Sequence, residues 1–276
     1  MIFDITSQLT SREFLCSFLE IDNKEVDTFI EKVDDHICVD SFLDYVGRSL
    51  ENRDISDMYL SVIHITTNDD ECQTIRDIGL VNLQQALTMD TPLRRYLKRY
   101  NIQFDIYNHL MCINNNCHEI TYDSSFFETE TAIGKLNSVA RKIYFDHQIN
   151  GFFCVRDAKG YGGYVHLRPE IIYDIAQLGS NPYDFERMWI QNNKPYLIKF
   201  NAPVEYFTYY SFYGDIDEFK EDYGDKMELK KWLVKNALLV NWEYYNFGEC
   251  PHEIMAYLKP EVSIPFKLIT DIQPIL

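Results

Sequence analysis

No run in this 276-residue chain reaches the ~18 consecutive apolar residues of a membrane-spanning helix, so no transmembrane segment is expected. The start, Met1-Ile2-Phe3-Asp4-Ile5-Thr6, lacks the basic residues and continuous apolar core of a signal peptide. Export is therefore not expected, and the expectation is a cytoplasmic protein. Positive charge is scarce: 26 Lys and Arg stand against 43 Asp and Glu, a formal net charge of -17. Such a surface repels nucleic acid phosphates and anionic membranes at long range, so nucleic acid is a disfavoured partner unless a local basic patch exists. No internal repeat or low-complexity tract is present. The seven cysteines, at 16, 38, 72, 112, 117, 154 and 250, are odd in number and scattered, which fits reduced thiols better than a disulfide framework.

What is present is material for a core. The chain is 46% hydrophobic and contains 20 Tyr and 18 Phe, enough to fold unaided. From Thr10 to Asn52 the pattern is helical. Thr10-x-x-Glu13 has capping-box form, Phe14, Phe18 and Leu19 follow at helical spacing, Val26, Phe29, Ile30 and Val33 make a second stripe, and Asp40 can cap a third helix. This predicts a helical N-terminal region over 1–57, ahead of an α+β domain over 58–276 with a mixed or antiparallel sheet core.

The character changes at Met58. Met58 to Thr66 is rich in β-branched and aromatic residues and reads as a strand. Thr67 and Asn68 are then candidate helix caps, Asp69, Asp70 and Glu71 load a first turn, and Gly79 can close the helix. Short helices are expected at 82–87 and 93–100, and strands at 102–107, 110–113 and 118–122 with a turn at Asn114-Asn115-Asn116. A helix at 132–145, a strand at 151–156, a helix after Pro169, strands at 196–200 and 204–208, a helix at 229–244 and strands at 254–258 and 266–272 complete the reading. The run Lys159-Gly160-Tyr161-Gly162-Gly163-Tyr164 is the most permissive backbone in the chain, and it has neither Walker-loop nor dinucleotide-fingerprint spacing.

Ile63-His64-Ile65-Thr66 followed by Ile75-x-x-Ile78-Gly79-Leu80 resembles the first motif of the ADP-ribosyltransferase fold. The branch is the one with a His-x-Thr or His-x-Ser strand, seen in DNA-targeting ADP-ribosyltransferase toxins and RNA 2′-phosphotransferases. His252-Glu253-Ile254-Met255-Ala256-Tyr257, with Ile264-Pro265 and Leu268-Ile269-x-x-Ile272, is similar to the family's final motif. The resemblance covers Val62 to Leu80 and His252 to Ile272. It implies NAD as a substrate, with His64 and Thr66 holding its ribose, Glu253 as catalytic carboxylate and an aromatic ring, Tyr161 or Tyr164, against nicotinamide. It also implies a setting among toxins or conflict between bacteria and phages. Alternation along a strand puts His64 and Thr66 on one face. Arg76, Arg156 and Arg168 are the nearest candidates to clamp a diphosphate.

Plainer readings stand beside these. His64 is equally a histidine on a half-buried strand, and Glu253 a solvent-facing strand residue. Cys112-x4-Cys117-His118 lacks a second pair of ligands and reads as a turn rather than a zinc site, so no metal is expected. His166, Arg168 and Glu170 are either a hydrolytic acid/base group or a charged strand end before a Pro-started helix. The alternative function is a non-catalytic acidic module engaging a protein partner through the helical N-terminal region.

Overall fold

The computed structural model describes residues 1–33, 36–126, 128, 130–161, 163–179, 182–250 and 252–275. The protein is α+β, with a mixed main sheet and a separate antiparallel one. A short strand, β1 (Ile2–Phe3), precedes α1 (Gln8–Leu19), whose first turn is capped by Ser7 accepting the Thr10 amide at 3.2 Å. Thr10 and Glu13 thus lie inside the helix, because Ser7 already satisfies the free amide there. α2 (Asn23–Ile30) carries the reciprocal box instead, between Asp22 and Glu25. α3 (Val39–Val46) begins one residue before Asp40, which falls in its first turn, and stops at Gly47 in the left-handed region.

β2 (Tyr59–Asn68) runs on through Thr67 and Asn68, so these residues belong to the strand and not to a helix cap. The helix that follows, α4 (Gln73–Ile78), is short. Its start is held from the strand's end: Asn68 Oδ1 accepts the Cys72 amide at 2.9 Å and Asp70 accepts the Thr74 amide at 3.2 Å. α5 (Leu83–Thr88) and α6 (Pro92–Arg99) start on Asn82 and Thr91, each accepting an amide three residues on. β3 (Ile102–Asp105), β4 (Leu110–Ile113) and β5 (Asn116–Glu119) form the antiparallel sheet, turning at Asn114 and Asn115, both left-handed. That turn sets Cys112 directly opposite Cys117, with Cα atoms 3.9 Å apart, and the two form a disulfide. The expectation of seven reduced thiols is corrected at this pair, where hairpin register brings together sulfurs that look merely scattered in sequence.

α7 (Ala132–Tyr144) and β6 (Asn150–Cys154) fall where expected, and α8 (Glu170–Ala176) follows Pro169. α9 (Pro182–Asn192) has no counterpart in the sequence expectations. β7 (Lys194–Pro203) is one ten-residue strand, and the second strand expected at 204–208 is instead a 3-10 turn at Val204–Tyr206. Pro203 has no amide hydrogen to continue a ladder. α10 (Ile216–Glu221), the 21-residue α11 (Met227–Phe247), β8 (Ile254–Tyr257) and β9 (Ile269–Pro274) complete the chain.

The chain divides into two compact units. The first comprises Met1–Ile63, Asn150–Arg156 and Lys199–Leu258; the second comprises His64–Ile149, Asp157–Ile198 and Lys259–Leu276. Residues 1–57 therefore belong wholly to the first unit, and 58–276 is shared between both.

In the first unit β1 pairs parallel with β2, and β6 lies between β2 and β8, antiparallel to each. Gly151 is required where β6 approaches β2, since a Cβ there would stand 2.6 Å from the Ile63 carbonyl oxygen. Phe153 packs among Phe3, Phe207, Phe212 and Trp232. A buried polar seam joins α1 to α11: Ser11 Oγ donates to the Ala237 carbonyl, and Asn241 donates to Ser11 Oγ, each at 2.8 Å.

The second unit has its own core of Leu93, Leu97, Ile143, Ile172 and Trp189 around the small sheet. The Trp189 indole donates to Thr67 Oγ1 at 2.9 Å, anchoring the end of β2 on α9. Gly79 closes α4 with φ +83°, and Leu80 pairs with Ile264 through two backbone hydrogen bonds of 2.9 Å. A Cβ on Gly79 would stand 2.1 Å from the Ile264 carbonyl oxygen. Gly79→Ala combines that clash with left-handed strain, and we expect it to cost about 2–3 kcal/mol, read as a lowered urea midpoint.

Candidate functional site

β2 presents two different faces near its end. Ile63, Ile65 and Thr67 are buried, whereas His64 and Thr66 are half-buried and share the opposite face, as alternation requires. The Thr67 hydroxyl is engaged by Trp189, which fixes the roll of the strand and hence the direction of its neighbour Thr66. A ring nitrogen and a hydroxyl one residue apart on a partly open face are suited to hydrogen-bonding adjacent hydroxyls of a sugar.

Tyr161 and Tyr164 bracket a turn, the Tyr164 amide donating to the Tyr161 carbonyl at 3.1 Å. Tyr161 is half-buried; Tyr164 is exposed and left-handed, with φ +53°. Gly162, part of the permissive loop, lies outside the described residues. Arg168 pins this loop: it is buried, donates to the Gly163 carbonyl at 3.3 Å, pairs with Glu186 and covers the Tyr173 ring at 4.8 Å. Glu170 pairs with Lys142. Arg168 and Glu170 therefore go to different partners, and the segment that carries His166 is a turn rather than a strand end. Of the other clamp candidates, Arg76 donates to the Glu71 carbonyl and Arg156 pairs with Glu249 at 2.6 Å.

Glu253 belongs to the first unit, exposed, one residue ahead of β8. In that unit β6 stands between β8 and the Tyr59–Ile63 part of β2. His64, Thr66, Tyr161 and Tyr164 belong to the second unit.

Two features were not selected from sequence. Arg94 and Lys98, one turn apart on α6, line a cavity of about 110 Å³ with Thr88 and Gln103. It is sized for a phosphate group and far too small for a dinucleotide. The signal was legible in Arg94-Arg95-Tyr96-Leu97-Lys98-Arg99, a basic helix face in an acidic chain. The other is Asp174 on α8, where burial, with Glu170 adding repulsion, raises the carboxyl from its ordinary 3.8 to about 6 against the pull of Lys142, Arg168 and Arg141. A carboxyl raised on folding favours the folded chain when protonated. Its stabilising effect is complete below pH ~3.8 and is lost as pH rises through about 6. Asp174→Asn should flatten the pH dependence of the melting temperature between pH 4 and 6 and raise stability at pH 7 by about 1–3 kcal/mol. Comparison with protein-family models, curated proteins and solved structures finds no match to this chain.

Proposed function

We propose that the protein is an ADP-ribosyltransferase-like enzyme that cleaves the ribose-nicotinamide bond of NAD. His64 and Thr66 hydrogen-bond the ribose, the ring of Tyr161 or Tyr164 lies against nicotinamide, and Glu253 is the catalytic carboxylate. Loss of nicotinamide leaves an oxocarbenium-like ribosyl centre, whose positive charge a carboxylate stabilises, and the same group can take the acceptor's proton.

The observation that carries this reading is the meeting of its two motifs. The Gly79-Leu80 end of the first is hydrogen-bonded to the Ile264-Pro265 part of the second across more than half the chain, at a place where only glycine fits. The shared half-buried face of His64 and Thr66 supports it further. The second reading, a non-catalytic module binding a protein partner through residues 1–57, is favoured by the net charge of -17.

Release of nicotinamide from NAD tests the proposal directly. We expect Glu253→Gln to lower turnover by about 10²-fold or more while leaving the melting curve unchanged, since an exposed residue contributes little to packing. Thr66→Val should instead weaken NAD binding. In the wild type, millimolar NAD should raise the melting temperature. No shift and no turnover would favour the protein-binding module, and turnover that survives in Glu253→Gln would remove Glu253 from the assignment.

A further inference from the structure

The first unit holds a cluster of four chemically capable side chains that the NAD reading does not use. Cys154 ends β6, where Phe152 stands opposite Met255 and Cys154 opposite Ile254, so that β6 carries one extra residue. Such a bulge lets both Phe153 and Cys154 be buried. Cys250 follows α11, which stops at Gly248 in the left-handed region. The two sulfurs lie 3.0 Å apart although the residues are 96 positions apart in sequence, and each residue is 3% exposed. A disulfide needs them about 1 Å closer. Cys250 donates to Glu243 Oε2 at 2.9 Å, and Oε1 of the same carboxylate is hydrogen-bonded to His252 Nδ1. Glu243 is 0% exposed, whereas the His252 side chain is 60% exposed.

An inert thiol pair needs no carboxylate. Burying a carboxyl completely is costly unless it has partners, and an apolar side chain would fill the place of Glu243 in α11 without that cost. Its two oxygens face the only things a thiol oxidation requires of a base: one points at the sulfur that must lose a proton, the other at an imidazole that reaches water. The hydrogen bond to Cys154, burial and Glu243 together push the Cys250 thiol up, so it rests protonated and unreactive until the proton is drawn off.

We propose that Cys154 and Cys250 are a peroxide-oxidised dithiol, with Glu243 as the proton acceptor for Cys250 and His252 as its link to solvent. As Glu243 takes the proton, the Cys250 sulfur attacks hydrogen peroxide; an S–O bond forms, the O–O bond breaks, and the departing hydroxide recovers the proton as water. The Cys154 sulfur then attacks the sulfenic sulfur of Cys250; the S–S bond forms, the S–O bond breaks, and a second water leaves with the Cys154 proton. Two thiols are oxidised to one disulfide, and one peroxide is reduced to two waters. Contact between the sulfurs makes the second step effectively unimolecular. The bond would tie the end of β6 to the segment that leads into β8.

The test is a disulfide map of the full chain. The protein is reduced with dithiothreitol, desalted, treated with hydrogen peroxide, denatured in iodoacetamide and digested for mass spectrometry. The expected product is a peptide pair joined through Cys154 and Cys250, two hydrogens lighter than its parts and separated again by dithiothreitol. Cys112–Cys117 reports that oxidation has occurred. The proposal is overturned if that reference pair is oxidised while Cys154 and Cys250 both carry the alkyl group, or are joined to other cysteines. In Cys154→Ser, dimedone should trap a sulfenic acid on Cys250, whereas Cys250→Ser should give no adduct on Cys154; the reverse pattern overturns the order of attack. Glu243→Gln should slow formation of the bond by about 10²-fold, and an unchanged rate removes Glu243 from the chemistry.

Discussion

The strands around β2 take their places from a requirement on that strand alone: ten residues of continuous extended backbone, with both faces occupied over the first half and one face partly open over the second. Leu60, Val62, Ile63 and Ile65 are buried, and β1 and β6 take register from this stretch at Tyr59, Leu60 and Ile63. A one-residue slip would exchange the two faces, removing Ile65 from the core and burying His64 and Thr66 in its place. Two devices hold the register. Gly151 lets β6 approach where any side chain would strike the Ile63 carbonyl, and Trp189 anchors Thr67. The chemistry proposed for His64 and Thr66 is therefore a by-product of packing on the other side of the strand.

Part of the acidic complement has local structural work. Asp22, Asp215 and Asp222 accept backbone amides at helix starts, and Asp70 does so ahead of α4, so these carboxylates serve as caps. Asp4 pairs with Lys199 and Asp40 with Lys231. Two carboxyls stand apart from this pattern. Asp174 is pushed towards neutrality by burial, and Glu243 is fully buried between a thiol and an imidazole. Buried carboxyls of this kind are expensive to keep in a core, which makes them the places to look for chemistry.

Much of the fold was legible because its signals are local. Helices begin at or near 82, 93 and 132 as expected, Gly79 ends α4 as expected, and Asn114 and Asn115 make the hairpin turn. Of the candidate site, the common face of His64 and Thr66 was readable from a period of two. Two of the misreadings are decided by hydrogen bonds. Thr67 and Asn68 have the composition of caps but are drawn into β2 by Trp189 and Cys72, and Ser7 displaces Thr10 as a cap by being one turn earlier. In the first case Trp189, distant in sequence, engages Thr67, and in the second Ser7 accepts the Thr10 amide first.

By itself the sequence determined where the hairpin at Asn114 and Asn115 turns, which segments are helical or extended apart from α9 and the turn at Val204–Tyr206, and which face of β2 carries a histidine and a hydroxyl, since each depends on residues within one or two turns of one another. Tertiary structure alone decided that Leu80 pairs with Ile264, that β6 stands between β2 and β8, and that Cys154 meets Cys250 with Glu243 and His252. Those contacts join strand ends and helix faces far apart in the chain. Only the packed core makes them neighbours, because sheet register and the burial of Phe153 and Trp189 select one pairing among many that local preference would allow.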